Sequence, residues 1–133
     1  MIDCENAIYT EVATKVKATH QNANVSGDLN LSPAKFPAVF IEMSDNYPYR
    51  NGADGSTIEN FCVAVFDVTI FTATTQGKKS EAKAIQRTVD EAFSGIGFRR
   101  TMLIPMNGND ATQYRLNSRY EAVVSKDLVI YRR

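Results

Sequence analysis

ENFCVAVFDVTIFTAT, Glu59 to Thr74, is rich in Val, Ile, Phe and Thr and holds neither Gly nor Pro, so it reads as one long β-strand. At ~3.3 Å per residue such a strand runs roughly 50 Å. A compact chain of this length has a diameter under ~40 Å, so the strand must bend or its first part must leave the body of the domain. Its alternation sends Ala64, Phe66, Val68 and Ile70 to one side, as a core needs. Phe61, Val63, Val65 and Phe71 go to the other side, interrupted by Asp67 and Thr69. A strand apolar on both faces is covered on both, by its own chain or by a neighbour's. A small domain has little material for two covers, so another subunit is expected.

The flanking segments give the architecture. Asp3 to Thr19 has a helical stripe of Cys4, Ile8, Val12 and Val16, with Asp3 as the expected N-cap. Residues 20–35 are polar and contain Gly27 and Pro33, which predicts a loop held down by Val25, Leu29 and Leu31. Phe36 to Ser44 is a strand, and residues 45–57 form a long tip before the Glu59 strand begins. Ser80 is the expected N-cap of a second helix with Ala82, Ile85, Val89, Ala92 and Phe93 on one face. Gly95-Ile96-Gly97 ends it, one glycine serving as a left-handed cap. Strands follow over 98–106 and 112–125, and residues 126–133 close the chain as a short strand or arm.

The pattern α-β-β-α-β-β predicts an α+β fold in a single domain, residues 1–133. The expected sheet is four-stranded and antiparallel in the order 1-2-4-3, with two helices on one face and a long β-hairpin tip. That order puts Pro37 and Pro105 on edge strands, where a missing N–H costs least.

The totals narrow the function. The chain has 133 residues, 44% apolar and 23% charged, which is ordinary globular usage. Fifteen basic residues balance fifteen acidic ones, but residues 1–66 hold eight acids and four bases while residues 99–133 hold three acids and seven bases. Such a split is a poor nucleic-acid footprint and suits head-to-tail contacts between copies. A fold that interleaves the two ends would erase it. Two distant cysteines, Cys4 and Cys62, are too few for a disulfide framework and point to a reducing compartment. MIDCENAIYTEV lacks the features of a signal peptide, and no membrane span is expected.

The sequence offers little for catalysis. His20 is the only histidine, expected at the surface, and without a second histidine or a paired CxxC no metal site is expected. Asp90 and Glu91 lie on what reads as a solvated helix face, not as an acid–base pair. Gly77-Lys78-Lys79-Ser80 imitates the end of a phosphate-binding loop, but the required upstream glycine falls at Thr72 and Lys79 replaces the hydroxyl. No catalytic residue, cofactor or metal is assigned. Tyr47, Tyr49 and Arg50 give the tip the composition of a contact surface, although a surface tip also carries aromatics incidentally.

FPAVFIEMSDN, GKKSEAKAIQRTVDEAFSGIGFRRTMLIPM and NDATQYRLNSRYEAVV, spread over residues 36–124, together resemble the small tail-terminator or tail-completion proteins of long-tailed bacteriophages. These are often filed as minor capsid or head–tail joining proteins. The resemblance implies a non-enzymatic virion subunit that forms a ring, a hexamer, on the last ring of the tail tube. Its partners would be its own copies, the tail tube protein and a head connector or neck protein, with DNA only as passing cargo. It would be found in the virion tail or neck, and in the host cytoplasm during assembly. Phe61, Val63, Val65, Tyr47, Tyr49 and Arg50 are the expected subunit contacts. A neck or head-completion ring is the nearest alternative, followed by a small-ligand-binding α+β domain and a DNA-binding module.

Overall fold

In the computed structural model, which describes residues 2–29, 33, 35–48, 61–73, 77–107, 113–125 and 130–131, the apolar stretch forms β3, Phe61–Thr72. β3 lies between β2, Ala38–Pro48, and β5, Tyr114–Ser125, antiparallel to both. β4, Arg99–Asn107, pairs antiparallel with the far side of β5. These four strands stand in the order 1-2-4-3 that the sequence predicts.

The sheet is nevertheless larger and mixed. β1, Asn24–Ser26, lies within the predicted loop and pairs parallel with Ala38–Phe40 of β2. β6, Ile130–Tyr131, pairs with Val124 and Val123 of β5 beyond the start of β4. The expectation of four antiparallel strands is therefore corrected to six among the described residues, one pairing parallel. Asn24 is fastened by its own N–H and side-chain amide, both donating to the Pro37 carbonyl at 2.9 and 3.3 Å. Three residues suffice because the edge of β2 would otherwise leave backbone groups unpaired.

Both helices pack on one face. α1, Glu5–Thr19, buries Ile8, Val12, Ala13 and Val16, and α2, Lys78–Gly95, buries Ala82, Ile85, Val89, Ala92 and Phe93. They meet Cys62, Ala64, Phe66, Val68 and Ile70 of β3 in one core. Phe93 stacks on Tyr120 at 4.2 Å between ring centres, and Phe66 and Phe98 meet it at 6.0 and 5.3 Å.

The helix ends differ in detail from the prediction. Cys4, not Asp3, occupies the N-cap of α1, while Asp3 Oδ1 accepts the Glu5 N–H from one position farther out. α2 begins at Lys78, so Ser80 lies inside the first turn and Gly77, at φ 77°, takes the cap. That left-handed conformation suits glycine, and the Thr72 hydroxyl donates to the Lys78 carbonyl at 2.7 Å beside it. The position a phosphate-binding loop would give to glycine is thus a side-chain tie to the helix start.

Candidate assembly surface

The face of the sheet opposite the helices divides into three regions. At one end Val63 and Val65 are each only 6% exposed, and Phe61 is half-buried. Tyr47 and Val123 flank Val63, and Asp45 and Glu121 flank Val65. In a central strand a short branched side chain is shielded by such cross-strand neighbours. The two valines therefore do not form the open apolar back that alternation suggests. Alternation sets direction; it does not set coverage.

The middle is charged. Asp67 on β3 receives a forked pair of bonds from Arg119 on β5, at 2.8 and 3.3 Å. This carboxylate raises the Arg119 pKa, mainly through the hydrogen bond. At the far end Phe36, Ala38, Phe40 and Phe71 form a separate apolar group, with the Phe40 and Phe71 rings edge-on at 5.8 Å. The Arg115 guanidinium lies 5.4 Å from the Phe71 ring centre.

The open apolar surface lies instead along β4. Leu103, Ile104 and Met106 are 39%, 47% and 41% exposed. β4 closes one end of the strand order, with β5 as its partner. Register places Ile104 level with Asn117 and Leu103 level with Ser118, so apolar side chains leave both faces of the strand. Scattered exposed apolar residues are ordinary, but three within four residues of a strand with no outer partner among the described residues invite pairing with another chain. The signal was present in the sequence as the unbroken run MLIPM, which lacks the alternation of a half-buried strand. Among the other expected contact residues, Tyr47 is 44% exposed; Tyr49 and Arg50 lie outside the described residues, as does residues 49–57 of the tip.

The titratable groups that sequence reading set aside are structural ties. Asp90 is half-buried and accepts from the Tyr120 hydroxyl, from Gln86 Nε2 at 3.2 Å and from Arg100 at 2.7 Å. It is not the solvated helix residue that spacing suggested. Burial, then the bond to Asp90, pushes the Tyr120 pKa upward. His20 pairs with the Thr88 hydroxyl at 2.9 Å, joining the two helices where an exposed residue was expected. Cys4 is buried and its thiol is pushed up to about 11, chiefly by desolvation and then by nearby Cys62. Among the described residues, no group of three or more His, Cys, Asp or Glu side chains could hold a metal ion, and no helix is long and apolar enough to cross a membrane.

No known family profile matches the sequence, and no curated protein matches it. Solved structures similar to this chain include a bacteriophage protein. "Structure of bacteriophage SPP1 gp17 protein" aligns over 86% of this chain and 88% of that one, at 16% identity and a TM-score of 0.43. A likeness this loose carries no argument about function.

The two margins of the sheet differ in charge. Asp45, Val65, Glu121 and Arg99 occupy one row across it, with Asp45 on the β2 side and Arg99 on the β4 side. Arg99 is 72% exposed and 3.8 Å from Glu121. Arg100 turns to the helix side and is held by Asp90. The sequence asymmetry is thus partly cancelled by internal pairs and partly preserved at the margins.

Proposed function

We propose that this chain is a structural virion protein of a long-tailed bacteriophage, a tail terminator whose copies close into a ring on the end of the tail tube and offer the surface to which the head docks. Two independent supports meet here. The segments spread over residues 36–124 resemble such proteins. The observation that carries the assembly half is the β4 edge, which has no further strand beside it among the described residues and exposes Leu103, Ile104 and Met106. In a lone subunit that edge would be an aggregation hazard, whereas in a ring it is an interface.

This reading assigns no enzymatic step. The ring is a hexamer, and its partners are the tail tube protein on one side and a head connector or neck protein on the other. Light scattering on the purified chain, with negative-stain imaging, tests the ring. Rings that cap isolated tail tubes support the terminator; rings that bind only filled heads move the chain to the neck. A protein that stays monomeric at high concentration and binds neither removes the proposal.

A further inference from the structure

The two margins of the sheet are unlike in the way a head-to-tail contact requires. On the β4 margin stand Arg99 and the exposed Leu103, Ile104 and Met106. On the opposite margin, β1 covers only Ala38–Phe40 of β2, and Ile41–Pro48 has no further strand beside it among the described residues. An open cleft of about 280 Å³ lies there, lined in part by Asp3, Glu5, Asp28, Tyr9 and Ile41. Asp45 and the exposed Tyr47 follow along β2. One margin is apolar and basic; the other is acidic, with an aromatic ring and a recess.

We propose that the β4 edge of one copy seats against the α1–β1–β2 margin of the next copy. This rests on the ring reading above and names the contact within it. Because Asp45 and Arg99 end the same row, a neighbour placed alongside in register brings its Asp45 to Arg99, which then lies between that carboxylate and its own Glu121. Glu5 already accepts the Met43 N–H at 2.9 Å, so the β2 edge is partly capped and the contact is made by side chains. A β4-to-β4 dimer is disfavoured: it would join two basic edges and leave the acidic margin empty. Unlike surfaces meeting by rotation close into a ring.

Complementary variants test the geometry. An edge variant, Ile104→Asp, and a margin variant, Asp28→Lys with Asp45→Lys, change exposed positions. Thermal melts check that each remains folded; Ile104→Ser replaces the edge variant if it does not. Light scattering should find wild type as the ring and each variant alone as a monomer, with at least a tenfold weaker association. Mixed in equal amounts, the variants should form a one-to-one dimer and nothing larger, since one intact edge and one intact margin remain. A margin variant that still assembles alone overturns the acidic side, as a β4-to-β4 contact would produce. An edge variant that still forms rings overturns the role of β4, and a mixture that stays monomeric overturns the pairing of the two. Wild-type rings with unaffected variants leave the ring reading standing and remove only this contact; a monomeric wild type removes both.

Discussion

Asp67 and Arg119 face each other across β3 and β5 at 2.8 and 3.3 Å, in the middle of a sheet face that alternation marks as apolar. The pair separates the Val63–Val65 end from the Phe40–Phe71 end. Arg119 is 44% exposed and Asp67 21%, so water and salt screen their attraction. A double-mutant cycle with Asp67→Ala and Arg119→Ala should give a coupling of about 1 kcal/mol or less, read from denaturant melts and shrinking further in 1 M salt. A coupling several times larger, unmoved by salt, would mean the pair is shielded in solution.

Tyr120 makes a stronger demand. Its hydroxyl is buried, receives a bond from Gln86 at 2.6 Å and donates to Asp90. Tyr120→Phe removes that donor and leaves two polar side chains short of a partner, so it should cost about 1–3 kcal/mol in a urea melt. Asp90→Asn should cost less, because it keeps an acceptor while weakening the bond to Arg100. A loss below 0.5 kcal/mol for Tyr120→Phe, on the order of an ordinary surface change, would show that water replaces the hydroxyl there.

The same residue sets a pH dependence. The folded chain holds the Tyr120 proton above the ordinary value of 10.0, so the native state binds it more tightly than the unfolded state. Its contribution is fully present below pH 10 and declines above it, where the unfolded chain alone releases the proton. Stability should fall above pH 10, and less steeply in Tyr120→Phe. Absorbance at 295 nm should show Tyr120 ionising only as the fold is lost. Ionisation of Tyr120 while circular dichroism still reports a folded chain would contradict this.

Some of this was legible in the chain and some was not, for identifiable reasons. The order of the four long strands follows from two hairpins, a returning helix and Pro105, which suits the edge strand it lies on, all local signals. β1 escapes notice because Asn24-Val25-Ser26 is short and polar and becomes a strand only beside Ala38–Phe40. The Asp90–Tyr120 tie joins positions 30 residues apart, which spacing along one helix cannot show. The fate of Val63 and Val65 depends on the bulk of Tyr47, Asp45 and Glu121 beside them, a tertiary fact. Conversely, the exposed edge is written plainly in MLIPM, while the apolar alternation of β3, which β5 separates from β4, belongs to residues that are covered.

Cys4 and Cys62 are 1% and 0% exposed, and the Cys4 pKa is pushed up to about 11 from an ordinary value of 9.0. The thiolate is the reactive form, so both burial and the raised pKa slow modification. At pH 8 a thiol reagent such as Ellman's should label neither cysteine in the native chain within minutes and both after denaturation. Raising the pH toward 11 should favour the unfolded state, because its Cys4 ionises first, from about pH 9. Rapid labelling of one thiol at pH 8 would reveal an opening of α1 near its start.

Phe61 separates the sheet face from the β4 edge as the site of assembly. It is half-buried at the start of β3, opposite Ser125, and belonged to the surface expected from the sequence to join subunits. Phe61→Asp should leave a folded monomer if that end of the sheet contributes to the ring, since central interface contacts are commonly worth ~2 kcal/mol or more. Ile104→Asp acts on the β4 edge, two strands away from β3, so the two changes report on different parts of the sheet. Loss of rings with Ile104→Asp but not with Phe61→Asp would place assembly at the β4 edge and withdraw Phe61 from the contact. Loss with Phe61→Asp alone would return it to the valine end of the sheet. Light scattering at matched concentration, with circular dichroism to confirm that each variant is folded, decides between them.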